Sequence, residues 1–101
     1  MKLDYTPPKV TASIFQPYGF IKYAEFQTHI YLCAIKETEP NGQNRLMREF
    51  LAVAQQRRLP VQAVAPSPER VRFFQNRGFV AVSKSVELGY TVMVWNPAAA
   101  A

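Results

Sequence analysis

Residues 67–79 read Ser67-Pro68-Glu69-Arg70-Val71-Arg72-Phe73-Phe74-Gln75-Asn76-Arg77-Gly78-Phe79. The first three residues are a helix start. Ser67 can cap, Pro68 suits the first helical position, and Glu69 complements the positive helix end. Gly78 is a helix stop, since glycine takes a positive φ without strain. Phe73 and Phe74 are neighbours and face about 100° apart on a helix, so one is core and the other faces the sheet or a bound ligand.

Strand signals flank this helix. Before it, Val61 to Ala65 is a short buried-strand candidate. After it, Phe79 to Ser83 and Tyr90 to Trp95 read as two strands joined by a polar stretch containing Gly89, which predicts a terminal hairpin.

Further upstream the period changes. Leu46, Phe50 and Ala54 share a stripe flanked by Met47, Leu51 and Val53, which predicts an amphipathic helix from Leu46 to Arg58 with Asn44 as N-cap and Leu59-Pro60 as its end. The segment from Glu37 to Gln43 is a loop. His29-Ile30-Tyr31-Leu32-Cys33-Ala34-Ile35 is a continuous apolar run, suited to a central strand buried on both faces. Phe20 to Phe26 and Val10 to Phe15 are strand candidates, separated by turn chemistry at Gln16-Pro17-Tyr18-Gly19.

The order is β-β-β-α-β-α-β-β. The strand–helix–strand middle implies a parallel pair with a right-handed crossover, and the hairpins imply antiparallel strands on either side. The predicted fold class is α/β (α+β): a mixed, largely antiparallel sheet of about six strands with two main helices. Residues 1–9 read as a lead, 10–96 as a single domain and 97–101 as a tail.

Composition narrows the function. The chain has 101 residues, 49% apolar and 19% charged, which fits one globular domain and excludes multidomain enzyme classes. One cysteine, Cys33, excludes an internal disulfide, and one histidine with it excludes the common zinc sites, so no metal is expected. No apolar run approaches the ~20 residues of a membrane helix, and the N-terminus lacks a secretory pattern. The expectation is a cytoplasmic chain without a membrane partner.

The net charge of +5 sits in one stretch. Arg45 to Arg77 holds seven arginines and two glutamates, while five lysines balance five acids elsewhere. Arginine recognises phosphate bidentately, so a phosphorylated cofactor, a nucleic acid or an acidic protein would fit; solvated helix faces explain the pattern equally well.

Two details of this order resemble the GCN5-related N-acetyltransferase (GNAT) superfamily. One is Tyr31 to Ile35, then Asn41-Gly42-Gln43-Asn44, then Leu46 to Arg58: a buried strand, a glycine-containing loop and an amphipathic helix. The other is the helix of residues 67–79, which looks like the family's Phe-Tyr-x-x-x-Gly-Phe ending. The resemblance covers about residues 20–95 and omits the family's N-terminal strand and first two helices.

The resemblance implies an acetyl-CoA-dependent N-acyltransferase acting on an amine. Acetyl-CoA or CoA would lie where two parallel strands splay apart, its pyrophosphate on the N–H groups of the following helix. The cofactor-binding residues carried over are Ile35, Asn41, Gly42, Gln43, Asn44, Arg45 and Phe74, with Arg48 adding charge. Phe74 stands where the family has a general-acid tyrosine, and residues 39–44 keep only the middle glycine of the family loop. These departures imply an alternative, a non-catalytic CoA-binding or structural module; a second copy or a protein partner would complete either form.

Among single residues, His29 and Glu37 are the candidate catalytic bases, with Glu25 a further carboxylate; a strand-end or solvated role is the plainer reading of each. Cys33 reads as a core thiol. Phe20, Tyr23 and Phe26, with Lys22 among them, would suit a nucleic-acid platform, but no RRM or cold-shock signature accompanies them and core packing is the favoured reading.

Overall fold

The computed structural model describes residues 9–38, 45–85, 87 and 89–97. Most of the expected lead and tail, and the whole loop 39–44, lie outside the described residues. Eight elements follow in order: β1 (Ala12–Gln16), β2 (Gly19–Glu25), β3 (Ile30–Glu37), α1 (Arg45–Arg57), β4 (Val61–Ala65), α2 (Pro68–Gln75), β5 (Val80–Ser85) and β6 (Tyr90–Trp95). They match the predicted order. The strands form one six-stranded sheet, β1-β2-β3-β4-β6-β5, in which β3–β4 is the parallel pair and the other neighbours are antiparallel.

Gly19 fixes the first hairpin. Its φ is +143°, and a Cβ there would sit 2.0 Å from the Lys36 carbonyl oxygen. Only glycine lets β2 begin this close to the end of β3.

Both helices pack on the same face of the sheet. The two crossovers, β3 to β4 and β4 to β5, run the same way along the sheet, and right-handed connections then put both helices on one side. The packing agrees. Tyr23 meets Phe50 of α1 with ring centroids 5.1 Å apart. Ile21, Tyr23, Ile30, Leu32, Val61 and Met93 join Leu46, Met47 and Phe50 of α1 and Phe74 of α2 in one buried cluster. Each large side chain taken fully from water contributes about 1.5–3 kcal/mol.

The ends of the helices follow from local chemistry. In α2 the Ser67 hydroxyl accepts from the Arg70 N–H at 3.2 Å. At its far end Gly78 adopts φ +92°, the Gly78 N–H reaches Gln75 O at 3.1 Å and the Phe79 N–H reaches Phe74 O at 3.0 Å. This is a Schellman-type ending, and the accompanying apolar contact is Phe74 on Phe79, centroids 5.0 Å apart. α1 ends the same way without a glycine: Arg58 takes φ +57°, and Leu59 N–H bonds Ala54 O at 3.1 Å. The helix therefore stops before Leu59-Pro60 is reached.

One expectation needs correcting. The apolar run of β3 is not buried throughout. Ile30, Tyr31 and Leu32 are buried, but Cys33 and Ile35 are only partly covered and Ala34 is exposed. Beyond Tyr31 the strand β4 no longer pairs with β3, and Ala34 points to the face that carries no helix.

Candidate functional site

β3 and β4 pair at Ile30↔Val61 and Tyr31↔Gln62 and at no later position, although β3 runs on to Glu37 and β4 to Ala65. The two parallel strands part company toward their C-terminal ends. β3 carries an irregularity at the same level. Lys22 pairs with Ala34 and Tyr23 with Leu32, so Cys33 is an extra residue on β3, a β-bulge. Bulges bend a strand and interrupt its ladder, which turns the outer half of β3 away from β4.

A cleft opens between the parted strands, at the carboxyl ends where α/β sheets bind ligands. Its inner part, about 230 Å³, is walled by Cys33 and Ile35 of β3, Val64 of β4 and Phe74 of α2. Its outer part, about 690 Å³, lies between Ile35 and Glu37 on one side and Ser67, Arg70 and Phe73 on the other. Ile35, Pro66 and Arg70 border both, so the two parts are continuous. The inner end is lined mostly by apolar side chains, with strand backbone and Arg70 exposed among them, and the mouth is charged.

The mouth is tied together by Arg77. Its Nη2 donates to Glu37 Oε2 at 3.2 Å and its Nη1 to the Phe73 carbonyl at 2.9 Å, while the guanidinium lies 3.6 Å from the Phe73 ring centroid. Arg70 sits 4.7 Å from the same ring. Glu37 Oε1 and Arg77 Nε are buried and lack a hydrogen-bond partner among the described residues. At the start of α1 the Arg45 guanidinium lies 4.3 Å from the Tyr18 ring, and the Tyr18 hydroxyl donates to Glu49.

Of the residues singled out in the sequence, Ile35, Glu37 and Phe74 are brought together at the cleft. Phe74 is only 3% exposed and meets Phe73 edge-on at 5.3 Å. Arg45 and Arg48 lie in the first turn of α1. Asn41, Gly42, Gln43 and Asn44 lie outside the described residues. His29 is not at the cleft. It precedes β3, stacks on Phe26 at 4.8 Å and bonds the Thr28 hydroxyl at 2.9 Å. Six residue steps along the strand, roughly 20 Å at about 3.3 Å each, separate it from Ile35. Glu25 pairs with Arg57 and ties the end of β2 to the end of α1.

Cys33 is partly buried, and burial pushes its thiol pKa up, with a hydrogen bond from the Ala24 backbone drawing it partway back. The group is a neutral thiol at neutral pH, inside the cleft.

Arg70 and Arg77 are the cleft residues that sequence reading left in a generic basic helix. The signal was present for Arg70: a helix that starts right after β4 puts its first turn beside the strand ends. No local signal links Glu37 to Arg77, forty positions apart in the chain.

No protein-family model matches the chain, and no curated protein matches it. Solved structures do. The anti-CRISPR protein AcrVA5 superposes with a TM-score of 0.69 at 19% identity, over 84% of this chain and 97% of that one. ElaA from Escherichia coli gives 0.64 at 16%, over 77% of this chain and 59% of that one. A GNAT-family protein from Bacteroides thetaiotaomicron gives 0.59 at 21%, over 82% and 58%. The chain has the GNAT fold. It spans nearly all of AcrVA5 and about three-fifths of the other two.

Proposed function

We propose that the chain is an acetyl-CoA-dependent N-acyltransferase that binds its cofactor between β3 and β4. The observation that carries this reading is the parting of the parallel pair after Tyr31↔Gln62. It leaves the outer half of β3 without a neighbour on that side, where the amides of a pantetheine arm would substitute for the missing strand.

The charges support it. α1 begins with Arg45 and Arg48 and has no acidic residue in its first turn. Cations at a helix N-terminus oppose the macrodipole by about 0.3–1 kcal/mol each. An anionic pyrophosphate resting there would reverse that cost, with residues 41–44 supplying backbone N–H groups. α2 has Glu69 in its first turn and is already neutralised, so the phosphates belong to α1. Arg70 faces them from the opposite wall.

In this reading the thioester lies in the apolar inner cleft beside Ile35 and Phe74. The acceptor amine attacks the carbonyl carbon, a new C–N bond forms, the C–S bond breaks, and CoA leaves as its thiolate. Backbone N–H groups of β3 near the Cys33 bulge stabilise the developing oxyanion. Glu37, with one carboxylate oxygen unengaged, takes the proton lost by the amine. Phe74 has no proton to return to the thiolate, so that proton comes from solvent, and turnover is slow for this chemistry.

The same phenylalanine favours a second reading, a CoA-binding module without transferase activity. Calorimetric titration with acetyl-CoA and CoA tests both. Micromolar to millimolar binding with acetyl transfer to a panel of amines supports the enzyme. Binding without transfer supports the module. No heat at millimolar ligand sinks both. Because AcrVA5 is an anti-CRISPR protein, the acceptor panel includes a CRISPR effector protein alongside polyamines and N-terminal peptides.

A further inference from the structure

The face of the sheet opposite the helices has its own chemistry. Cross-strand register puts Phe15, Phe20 and Lys36 in one row and Ser13, Lys22 and Ala34 in the next. Phe15 is 67% exposed, Ser13, Ala34 and Lys36 are also exposed, and Phe20 and Lys22 are partly so. The Phe15 and Phe20 rings lie 6.0 Å apart, and the Lys22 ammonium sits 5.4 Å from the Phe20 centroid.

No acidic residue occupies these two rows. The described glutamates lie elsewhere: Glu25 pairs with Arg57, Glu37 with Arg77, Glu49 and Glu69 are on the helices, and Glu87 is in the β5–β6 loop. The two kinds of cation are also sorted. Every described arginine belongs to α1, α2 or the turns that end them, while Lys9, Lys22, Lys36 and Lys84 lie on or beside strands.

We propose that these two exposed rows of the β1–β3 face dock an acidic segment of a partner protein, with Phe15 as its apolar anchor and Lys22 and Lys36 as its charge readers. Charge complementarity selects the occupant. A second copy would bring lysine against lysine, which is repulsive. Single-stranded nucleic acid fits less well. Its phosphates are best read by arginine, which this face lacks, and the Phe20 ring already carries the Lys22 ammonium instead of standing open to a base. An exposed aromatic with like charges beside it is the pattern of an interface anchor with a polar rim.

The test uses the full chain and a fluorescein-labelled peptide of alternating Glu and Leu as probe, followed by anisotropy across a salt series. The expected result is salt-sensitive binding that F15S and the double variant K22E/K36E each weaken by about tenfold or more, the scale of a lost anchor or lost charge pairs. R48E and R72E, on the helical side, serve as charge controls and leave the peptide affinity within about twofold. Circular dichroism and thermal melts confirm that each variant is folded; these positions are at the surface, so no variant is expected to melt more than a few degrees below the parent chain. No peptide binding overturns the proposal. So does peptide binding that R48E or R72E removes and K22E/K36E spares. Tighter binding to oligo-dT than to the peptide, lost in K22E/K36E, overturns it in favour of a nucleic-acid surface.

Discussion

Arg77 and Glu37 meet across the mouth of the cleft, joining the end of α2 to the end of β3 through an ion pair of 3.2 Å. Their side chains are 11% and 17% exposed, so the pair is mostly withdrawn from water. Removing one partner strands the other. Glu37→Gln or Arg77→Met is expected to cost about 1–3 kcal/mol in urea denaturation. Together they cost less than the sum, with a coupling of about 0.5–3 kcal/mol in a double-mutant cycle. Strict additivity would mean that the contact is not formed in solution.

The first turn of α1 sets stability against binding. Arg48→Glu replaces a cation at the positive helix end with an anion and leaves the core untouched, since Arg48 is exposed. The melting temperature rises, corresponding to a few tenths to about 1 kcal/mol, while CoA affinity falls. A variant that loses both, or keeps full CoA affinity, would place the phosphates elsewhere.

The two helix ends predict opposite outcomes. Gly78→Ala forces a side chain into φ +92° and sets its Cβ 3.4 Å from Trp95, so it destabilises by about 1–2 kcal/mol. Arg58→Gly relieves a non-glycine residue at φ +57° and stabilises by about 0.5–1 kcal/mol after glycine's extra entropy is subtracted. Chemical denaturation of the two variants beside the parent chain checks both signs.

Cys33 gives a pH readout for the cleft. A raised pKa keeps the thiol protonated, and only the thiolate alkylates, so its reaction with iodoacetamide at neutral pH is slower than that of a free cysteine. The rate climbs as pH rises through the elevated pKa. Saturating CoA slows it further if the cofactor occupies the inner cleft. Fast alkylation at neutral pH, indifferent to CoA, would contradict both the burial and the cofactor's position.

Much of the fold was legible because its signals are local. Ser67, Pro68 and Gly78 mark α2 at both ends, and the 3.6-residue stripe of Leu46, Phe50 and Ala54 marks the buried face of α1. The cleft was legible only by resemblance. Tyr31 to Ile35 is one apolar run in the sequence, yet the bulge at Cys33 divides it into a buried half and a cleft-lining half. Nothing in the residue types announces that division, because a bulge is a matter of register between strands. The aromatic set of β2 splits for a similar reason. Tyr23 is core, Phe20 faces the bare side and Phe26 lies beyond the strand, since alternate residues point to opposite faces. The Arg77–Glu37 pair forms only once the sheet is assembled.

The sorting of cations has a chemical consequence. Lysine amines accept acyl groups and lose their charge on doing so, whereas guanidinium groups remain protonated and inert under the same conditions. The charge on the two sides of this molecule therefore differs in permanence. An acylating reagent, or an acyl-transfer reaction turned on the chain itself, would neutralise the strand side and leave the helical side as cationic as before. At the cleft mouth the two kinds meet, Lys36 on the β3 side and Arg70 on the α2 side, and only the arginine's charge outlasts acyl chemistry.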